Sequence, residues 1–270
     1  MSEQQCEAIA GAWAEALRAS TYFRILERDG LGHDDFWRKF SDYGGLMAQS
    51  GYPGSVSGRL CDLIPQGSTV LDIGAGTGAF TLPIARMAAH VVALDPSSYH
   101  LGILRQKAEA EGITNLRYVE ALWGEAATSA VGQVDYAIAA YSMIDPDLRG
   151  FLAAMLACAG ESVFLVYRAG DPDPLEAFVR RSVRSIDYRY IEEMLRAMGH
   201  EPEVEFFRRD YRLPIERVLE KYRDGDRDPA EIREFLSAHG RLERSFCGET
   251  VGCTTTDALL SVKTGPTGAE

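Results

Sequence analysis

The chain is poor in the residues that build metal centres and disulfide frameworks. Its 270 residues include only five cysteines and five histidines. The cysteines are odd in number and scattered, no Cys-x-x-Cys pair occurs, and no two histidines stand at metal-ligand spacing. This usage is typical of a reduced protein with free thiols, and it argues against a structural zinc site. We therefore expect no metal.

Long hydrophobic runs and positive charge are also scarce. No apolar run approaches the roughly 20 residues of a membrane span, and no basic, apolar leader precedes the first helical pattern. These absences favour a soluble, cytoplasmic protein that does not engage a membrane. The chain has 28 basic and 40 acidic residues and a formal charge of −12. That charge disfavours a nucleic-acid partner, because phosphate binding needs a basic surface.

The most informative segment that is present runs from Val70 to Phe80 and reads VLDIGAGTGAF. Its apolar start predicts the first buried strand of a parallel sheet, and its three glycines predict a sharp turn after that strand. Glycine is needed where a side chain would keep the backbone from a ligand or where φ is positive. A helix predicted from Thr81 to Ala88 would direct its free N–H groups at a ligand above the turn.

A second predicted strand, Val91 to Leu94, ends at Asp95. An acidic residue about 20 residues after the glycines is placed to accept hydrogen bonds from both hydroxyls of a ribose. The glycine turn and Asp95 together indicate a site for a nucleotide-type cofactor.

Two classes of cofactor enzyme use this arrangement. The run Gly74-x-Gly76-x-x-Ala79 fits the dinucleotide fingerprint. Asp72, with the glycines at 74, 76 and 78, closely resembles the Asp-x-Gly-x-Gly-x-Gly motif of class I S-adenosylmethionine (SAM) methyltransferases. Asp72 favours this second class, because a carboxylate there can face the amino group of a methionine moiety but would repel a pyrophosphate. The lack of any Tyr-x-x-x-Lys pair also disfavours a dinucleotide enzyme. An NAD(P)-dependent oxidoreductase and a fold without its cofactor stay open.

Strand and helix patterns alternate from Ser68 onward, which predicts an α/β fold with a doubly wound sheet. The resemblance covers residues 68 to about 169 well and the later strands loosely. It implies a seven-stranded, mostly parallel sheet whose last strand is antiparallel. The strands after the second are predicted near residues 115–119, 134–139, 162–167, 203–212 and 255–263.

The remaining segments are predicted around this domain, which we place at residues 68–264. Residues 1–67 are predicted to form an N-terminal helical lid that Gly44-Gly45 interrupts. Residues 215–244 read as two helices, and we expect them to cap the mouth of the active site, since long connections are commonly functional. Residues 265–270 are predicted to be a disordered tail.

The resemblance implies roles for individual residues around the cofactor. The glycines would face the methionine and ribose, and Pro96 and Ser97 would lie beside the adenine, with Ser97 also a helix N-cap. Leu122 stands where many relatives have an acid, so apolar contact with Leu122 and Trp123 is expected to hold the adenine. The predicted cofactor-binding residues are Asp72, Gly74, Ala75, Gly76, Gly78, Asp95, Pro96, Ser97, Leu122, Trp123 and Tyr141.

The sequence defines the residues around the methyl acceptor less well than those around the cofactor. Tyr141 follows the fourth predicted strand, and ligands of open α/β sheets bind outside the carboxyl ends of strands, so Tyr141 is predicted beside the transferring methyl group. Candidate substrate-pocket residues are Tyr141, Trp37 and Tyr43, with Phe36 as a further apolar wall. No catalytic residue is assigned, and the candidates for a general base, in no order, are His33, His100, Asp145, Asp171 and His239.

The hypothesis from the sequence is a SAM-dependent methyltransferase that acts on a small-molecule acceptor and releases S-adenosylhomocysteine. Its partner is then that acceptor, and a homodimer is left open. The alternatives are a catalytically silent SAM-binding regulator, an RNA or protein methylase, and an NAD(P)-dependent oxidoreductase. The acceptor and its methylated atom are not defined by the sequence.

Overall fold

The computed structural model describes residues 3–39, 43–171, 173–180, 186–223, 225–246 and 248–264. The strands within these ranges are β1 (Thr69–Ile73), β2 (His90–Asp95), β3 (Leu116–Glu120), β4 (Val134–Ala140), β5 (Ala159–Ala169), β6 (Glu203–Pro214), β7 (Leu242–Ser245) and β8 (Gly248–Lys263). The helices are α1 (Glu3–Arg18), α2 (Thr21–Asp29), α3 (His33–Lys39), α4 (Tyr43–Gln49), α5 (Ser55–Leu63), α6 (Thr81–Ala85), α7 (Ser98–Ala110), α8 (Glu125–Val131), α9 (Leu148–Cys158), α10 (Pro174–Arg180), α11 (Tyr188–Ala197), α12 (Ile215–Lys221) and α13 (Pro229–Ala238).

The strands form one mixed sheet in the order β3-β2-β1-β4-β5-β8-β6. Neighbouring pairs among β1 to β5 are parallel, and β8 runs antiparallel to both β5 and β6. The predicted doubly wound, mostly parallel sheet with an antiparallel last strand is therefore confirmed.

One strand more is present than the seven expected. The last strand begins at Gly248 rather than near residue 255, and only its residues 256–263 pair with β5. Its first half extends past the end of β5, where it pairs with β6 and with the short β7. The extra strand therefore belongs to a three-stranded extension at the carboxyl end of β5.

Helices cover both faces of the central strands, which explains why those strands are apolar at successive positions. Leu71 and Ile73 of β1 pack into the larger core cluster, together with residues of α1, α9 and α11. Val70 points to the opposite face and packs with residues of α5 and α6. Because side chains alternate along a strand, β1 contributes residues to two cores, one on each side of the sheet.

The N-terminal segment divides between the core and the sheet edge. Trp13 of α1 is fully buried, and its Nε1 donates to the backbone oxygen of Asp145 at 2.8 Å. Helix α1 packs against α9 and α11 and so belongs to the larger core. The expectation of a lid therefore concerns α2 to α4. Helix α2 lies within the segment predicted to be helical, although no separate helix was predicted there. Gly44-Gly45, expected to interrupt a helix, lie inside α4.

The connection between β6 and β8 forms a separate small core. Helices α12 and α13 pack with α10 and with the extended parts of β6 and β8. The buried members of this core are Leu175, Val179, Leu213, Ile215, Val218, Tyr222, Ile232, Leu236 and Val251. The predicted tail at residues 265–270 lies outside the described residues. None of the described helices is both long and apolar enough to cross a bilayer.

Candidate functional site

A cavity of about 470 Å³, called here the first cavity, opens at the carboxyl ends of β1, β2 and β4. All of the predicted cofactor residues except Ser97 line it. Those residues come from the turn after β1, the end of β2, the loop after β3 and the end of β4. This is the crevice where open α/β sheets bind their ligands.

The three glycines of the turn after β1 have positive φ and serve two purposes. A Cβ on Gly74 would collide with Cβ of Ser142, and one on Gly78 would lie 2.5 Å from Cδ1 of Leu104. These two glycines are required by close packing. A Cβ on Gly76 would have no described heavy atom nearer than the Gly74 oxygen at 3.9 Å. Gly76 therefore leaves open space where the backbone borders the cavity.

Asp95 organises the turn and the next helix. It is 5% exposed, and its Oδ2 accepts from the Gly76 N–H at 2.8 Å while its Oδ1 accepts from the Ser97 N–H at 2.9 Å. Burial raises the pKa of this carboxyl, and the two N–H bonds oppose the rise. Since each oxygen has a second lone pair, Asp95 can still accept from a ligand hydroxyl.

Ser97 does not line the cavity. Its side chain is fully buried, accepts from the His100 N–H at 3.2 Å and donates to Asp34 Oδ1 at 2.7 Å. Ser97 is thus the N-cap of α7, and Asp34 of α3 also accepts from the Tyr99 N–H at 3.1 Å. The contact with adenine stays a prediction, whereas the capping role is present in the structure.

Asp72 is a buried carboxylate that a ligand cation could approach. It is 2% exposed and accepts from Thr81 Oγ1 at 2.6 Å. Burial raises its pKa to about 6, and the charge of Asp95 adds to the rise. In the described part of the chain no basic side chain lies within 4.0 Å of it. The cavity therefore contains a negative group without a protein counter-charge.

Leu122 and Trp123 differ in how they border the cavity. Leu122 is 53% exposed, which is unusual for a large apolar side chain beside a crevice. Trp123 is buried, its Nε1 donates to the Phe151 oxygen at 3.2 Å, and its ring packs edge-on against Phe151. Leu122 is thus the available apolar surface, and Trp123 is held by the core behind it.

Tyr141 forms a rigid wall at the end of β4. Its φ of 55° is the single positive value for a non-glycine residue in the described chain, and such strain is common at functional sites. Its hydroxyl donates to Asp257 Oδ1 at 2.5 Å, and its ring stacks on Tyr167. Burial and the charge of Asp257 raise the pKa of Tyr141 well above its usual value. It is therefore not a proton acceptor at neutral pH.

The candidate acceptor and base residues are scattered more widely than expected. Trp37, His33, His100 and Asp145 line the first cavity, but Phe36 packs against Tyr22 and does not. The side chain of Tyr43 is outside the described residues.

Two of the base candidates lie elsewhere. Asp171 borders a second cavity. His239 lines neither cavity and stacks on Phe235 with the ring centroids 4.0 Å apart.

Some residues that line the cavity were not assigned from the sequence. Phe23 comes from α2, whose position no motif indicates, and Phe80 follows the glycine turn directly. No described residue of 215–244 lines the first cavity. The capping role expected for this segment stays a prediction, and its described helices pack on the extension of β6 and β8 and border the second cavity.

Comparison with known proteins agrees with this geometry. The family described as a methyltransferase domain matches residues 70–160. A ubiquinone biosynthesis O-methyltransferase of Methylocella silvestris is 39% identical over 66 residues, which are 23% of this chain and 26% of the relative. A 23S rRNA (uracil(1939)-C(5))-methyltransferase of Hahella chejuensis is 47% identical over 57 residues, 21% of this chain and 13% of the relative. The matches thus span about a quarter or less of these relatives.

Among solved structures, a candidate methyltransferase of Bacillus halodurans has a TM-score of 0.57 at 16% identity. The alignment covers 79% of this chain and 100% of that one, so the two share a fold. Residues 70–160 are thus similar to a methyltransferase domain, and the fold is shared with a solved structure of that kind. Together with the glycine turn, these comparisons support a class I, SAM-dependent methyltransferase.

Proposed function

We propose that this protein transfers a methyl group from SAM to a small-molecule acceptor. The observation that carries the proposal is the open backbone at Gly76, in a cavity that the uncompensated carboxylate of Asp72 and the buried Asp95 also line. A cofactor with a cationic amino group and a ribose suits this set of groups.

The residues of the first cavity fit SAM group by group. Asp72 would face the amino group, since it has no counter-charge of its own in the described chain. The space beside Gly76 would admit the backbone-facing edge of the ligand. Asp95 would accept from the ribose hydroxyls through its remaining lone pairs. The exposed side chain of Leu122 would contact the adenine.

When bound, SAM supplies a methyl group on a positively charged sulfur. The protein then has to align the acceptor and exclude water from the reacting atoms. Tyr141, fixed by Asp257 and by stacking on Tyr167, would form the wall against which the acceptor lies. Burial lowers the pKa of His33, so its imidazole is neutral at pH 7 and is a candidate to accept a proton from the acceptor.

A small molecule is the favoured acceptor class because the chain carries a formal charge of −12. Nucleic-acid binding is dominated by phosphate contacts with basic side chains, and an acidic surface opposes them. The resemblance to an rRNA methyltransferase is confined to 57 residues of the shared domain.

The proposal is tested by calorimetric titration of the protein with S-adenosylhomocysteine and, separately, with NADH. We expect S-adenosylhomocysteine to bind and NADH not to bind. Asp95→Asn should weaken binding about 10- to 100-fold, because charge-assisted hydrogen bonds are lost. Asp62→Asn removes an exposed carboxylate on α5 outside the cavity and should change nothing.

The outcomes separate the alternatives. NADH binding without S-adenosylhomocysteine binding would replace the proposal with an oxidoreductase. Binding that does not respond to Asp95→Asn would contradict the assigned ribose contact. A SAM-binding regulator is distinguished afterwards by incubating the protein with labelled SAM and candidate acceptors, since it would bind SAM without transferring the label.

A further inference from the structure

The first cavity extends to both sides of β1. In the sheet, β2 and β4 pair with opposite edges of β1. Asp95 ends β2 and Tyr141 directly follows β4, so these two residues border different sides of the cavity. A methyl acceptor has to reach the methyl group inside this cavity, because the reacting atoms must be in contact. The side next to β4, where Tyr141 lies, is therefore the place to look for the chemistry that recognises the acceptor.

Three aromatic rings form a continuous surface there, called here the aromatic wall: Tyr52, Phe80 and Tyr141. All three line the first cavity. The ring of Tyr52 meets the other two edge-on, with its centroid 5.9 Å from that of Tyr141 and 5.8 Å from that of Phe80. Phe80 is 3% exposed, whereas Tyr52 and Tyr141 are only half-buried. The two tyrosine rings therefore retain surface that a ligand can cover.

An ion pair behind the wall fixes both tyrosines. The guanidinium of Arg209 lies over the ring of Tyr52, 5.3 Å from its centroid, and Nη1 donates to the backbone oxygen of Ser50 at 2.9 Å. Arg209 Nε donates to Asp257 Oδ2 at 2.9 Å, and Asp257 Oδ1 accepts from the Tyr141 hydroxyl. Since Asp257 is fully buried, the wall is held in place before a ligand arrives. A surface that is already ordered loses little freedom on binding.

The polar groups on this side of the cavity do not suit an anion. Ser142 Oγ is engaged, since it donates to the backbone oxygen of Ile73 at 2.5 Å. Asp145 contributes an acidic side chain to the lining. Among the described residues that line the cavity, the lysine or arginine is Lys107, whose Nζ donates to the Thr77 oxygen in the glycine turn at 3.0 Å. An acidic group of the acceptor would thus meet Asp145 without a cation from the end of β4.

Aromatic rings that meet in offset or edge-on geometry attract each other beyond what their buried area accounts for. We propose that the methyl acceptor is a planar aromatic molecule without an anionic group, and that it packs against the aromatic wall. A saturated ring of the same size lacks this interaction, and an anion is repelled by Asp145. The proposal rests on the proposed function, because it takes the methyl donor to occupy the rest of the same cavity.

The test uses the full chain saturated with S-adenosylhomocysteine, which blocks the donor part of the cavity. Three probes are titrated into it and followed by ligand-observed NMR: 2-naphthol, its saturated analogue decahydro-2-naphthol, and the anion 2-naphthoate. We expect 2-naphthol to bind about 5-fold more tightly than decahydro-2-naphthol, which has the same ring skeleton and hydroxyl group without aromaticity. We expect 2-naphthoate to bind more weakly than 2-naphthol, because like charges repel.

Tyr52→Leu removes one ring of the wall and should reduce the preference for 2-naphthol over its saturated analogue to about 2-fold or less. The affinity for S-adenosylhomocysteine should not change. Phe206→Leu is the matched control and should keep the preference, since Phe206 is 57% exposed on β6 and does not line the first cavity. Asp145→Asn tests the charge separately and should narrow the difference between 2-naphthol and 2-naphthoate.

Several results would overturn the proposal. These are equal affinity for 2-naphthol and its saturated analogue, a preference that survives in Tyr52→Leu, tighter binding of 2-naphthoate than of 2-naphthol, and no binding of 2-naphthol at about 1 mM. Displacement of S-adenosylhomocysteine by 2-naphthol would also do so, since the probe would then occupy the donor part. Failure of the proposed function is distinct, because S-adenosylhomocysteine alone then does not bind, whereas failure of this proposal leaves that binding intact.

Discussion

The two cavities of this molecule are organised in opposite ways. In the first, short-range backbone geometry sets the polar groups, with Asp95 holding the N–H groups of Gly76 and Ser97 within one continuous stretch of chain. In the second, one ion pair joins two segments that are far apart in the sequence, because Asp173 accepts from Arg241, 68 residues away.

The difference explains which function can be recognised from sequence. A turn with three glycines constrains the backbone wherever it occurs, so its spacing indicates a cofactor site without knowledge of the fold. An ion pair across 68 residues leaves no pattern, because either partner could equally be a solvated surface charge. The predicted cofactor site can thus be recognised in the sequence, whereas the ion pair of the second cavity cannot.

The largest effect on stability is expected at the ion pair between Asp257 and Arg209, which links Tyr141 of the first cavity to Ser50 of the second. Asp257→Asn would leave Arg209, which is 11% exposed, without its counter-charge. Loss of one partner from a buried pair costs about 3 to 5 kcal/mol, measured as the free energy of unfolding in urea. Asp210→Asn breaks the exposed pair with Arg208 and should cause no measurable loss. Equal losses of unfolding free energy in the two variants would contradict a structural role for the Asp257–Arg209 pair.

The next effect concerns the glycine turn. Gly74→Ala places a Cβ against Ser142 at a φ of 74°, so it should destabilise the protein by about 2 to 4 kcal/mol in urea unfolding. Gly102→Ala is the matched control in the exposed interior of α7, where no described atom lies within 4 Å of the new Cβ. It should raise stability by about 0.5 to 1 kcal/mol, because alanine favours helix. A neutral Gly74→Ala would refute the packing role of that glycine.

A smaller effect is expected at Asp72, where a substitution should raise the stability of the protein and weaken ligand binding. Because burial raises its pKa to about 6, its ionised form opposes folding at pH 7. Asp72→Asn should therefore stabilise the ligand-free protein by roughly 2 kcal/mol and weaken binding of S-adenosylhomocysteine. Urea unfolding and calorimetry measure the two effects on the same samples. If Asp72→Asn is less stable than the wild type and binds S-adenosylhomocysteine normally, Asp72 is not the carboxylate that faces the amino group of the ligand.

The pH dependence of this effect has a defined sign. The folded state binds the Asp72 proton more tightly than the unfolded state, so the contribution of this group to stability is greatest below about pH 4. It declines as the pH rises towards about 6 and is constant above that. The stability gained by Asp72→Asn should accordingly grow between these two pH values, and a gain that is constant with pH would disprove the raised pKa.

Much of the fold was predictable because it follows from local patterns. Apolar runs such as Val70 to Ile73 need cover on both faces, which points to a parallel sheet between helices. The overhang of β8 was not predictable, because residues 248–255 show no regular alternation of apolar and polar side chains and their partners in β6 are distant in sequence. Helix α2 was not delimited within the predicted helical segment because it is only nine residues long, and its start depends on the Ser20 cap.

Within the site, single residues likewise divide into those that local spacing predicts and those that depend on distant partners. Asp72 and Asp95 follow from their spacing to the glycines, and both line the first cavity. The hydrogen bond that fixes Tyr141 does not, because its partner Asp257 is 116 residues away.

The most direct test of the two-cavity account is hydrogen–deuterium exchange of the protein with and without saturating S-adenosylhomocysteine. The account predicts that bound ligand slows exchange in the glycine turn at residues 74–80 and in residues 95–100. Exchange in α12, which borders the second cavity, should be unchanged. Slowed exchange in α12 with no change at residues 74–80 would indicate that the ligand binds in the second cavity, and this result would contradict the account.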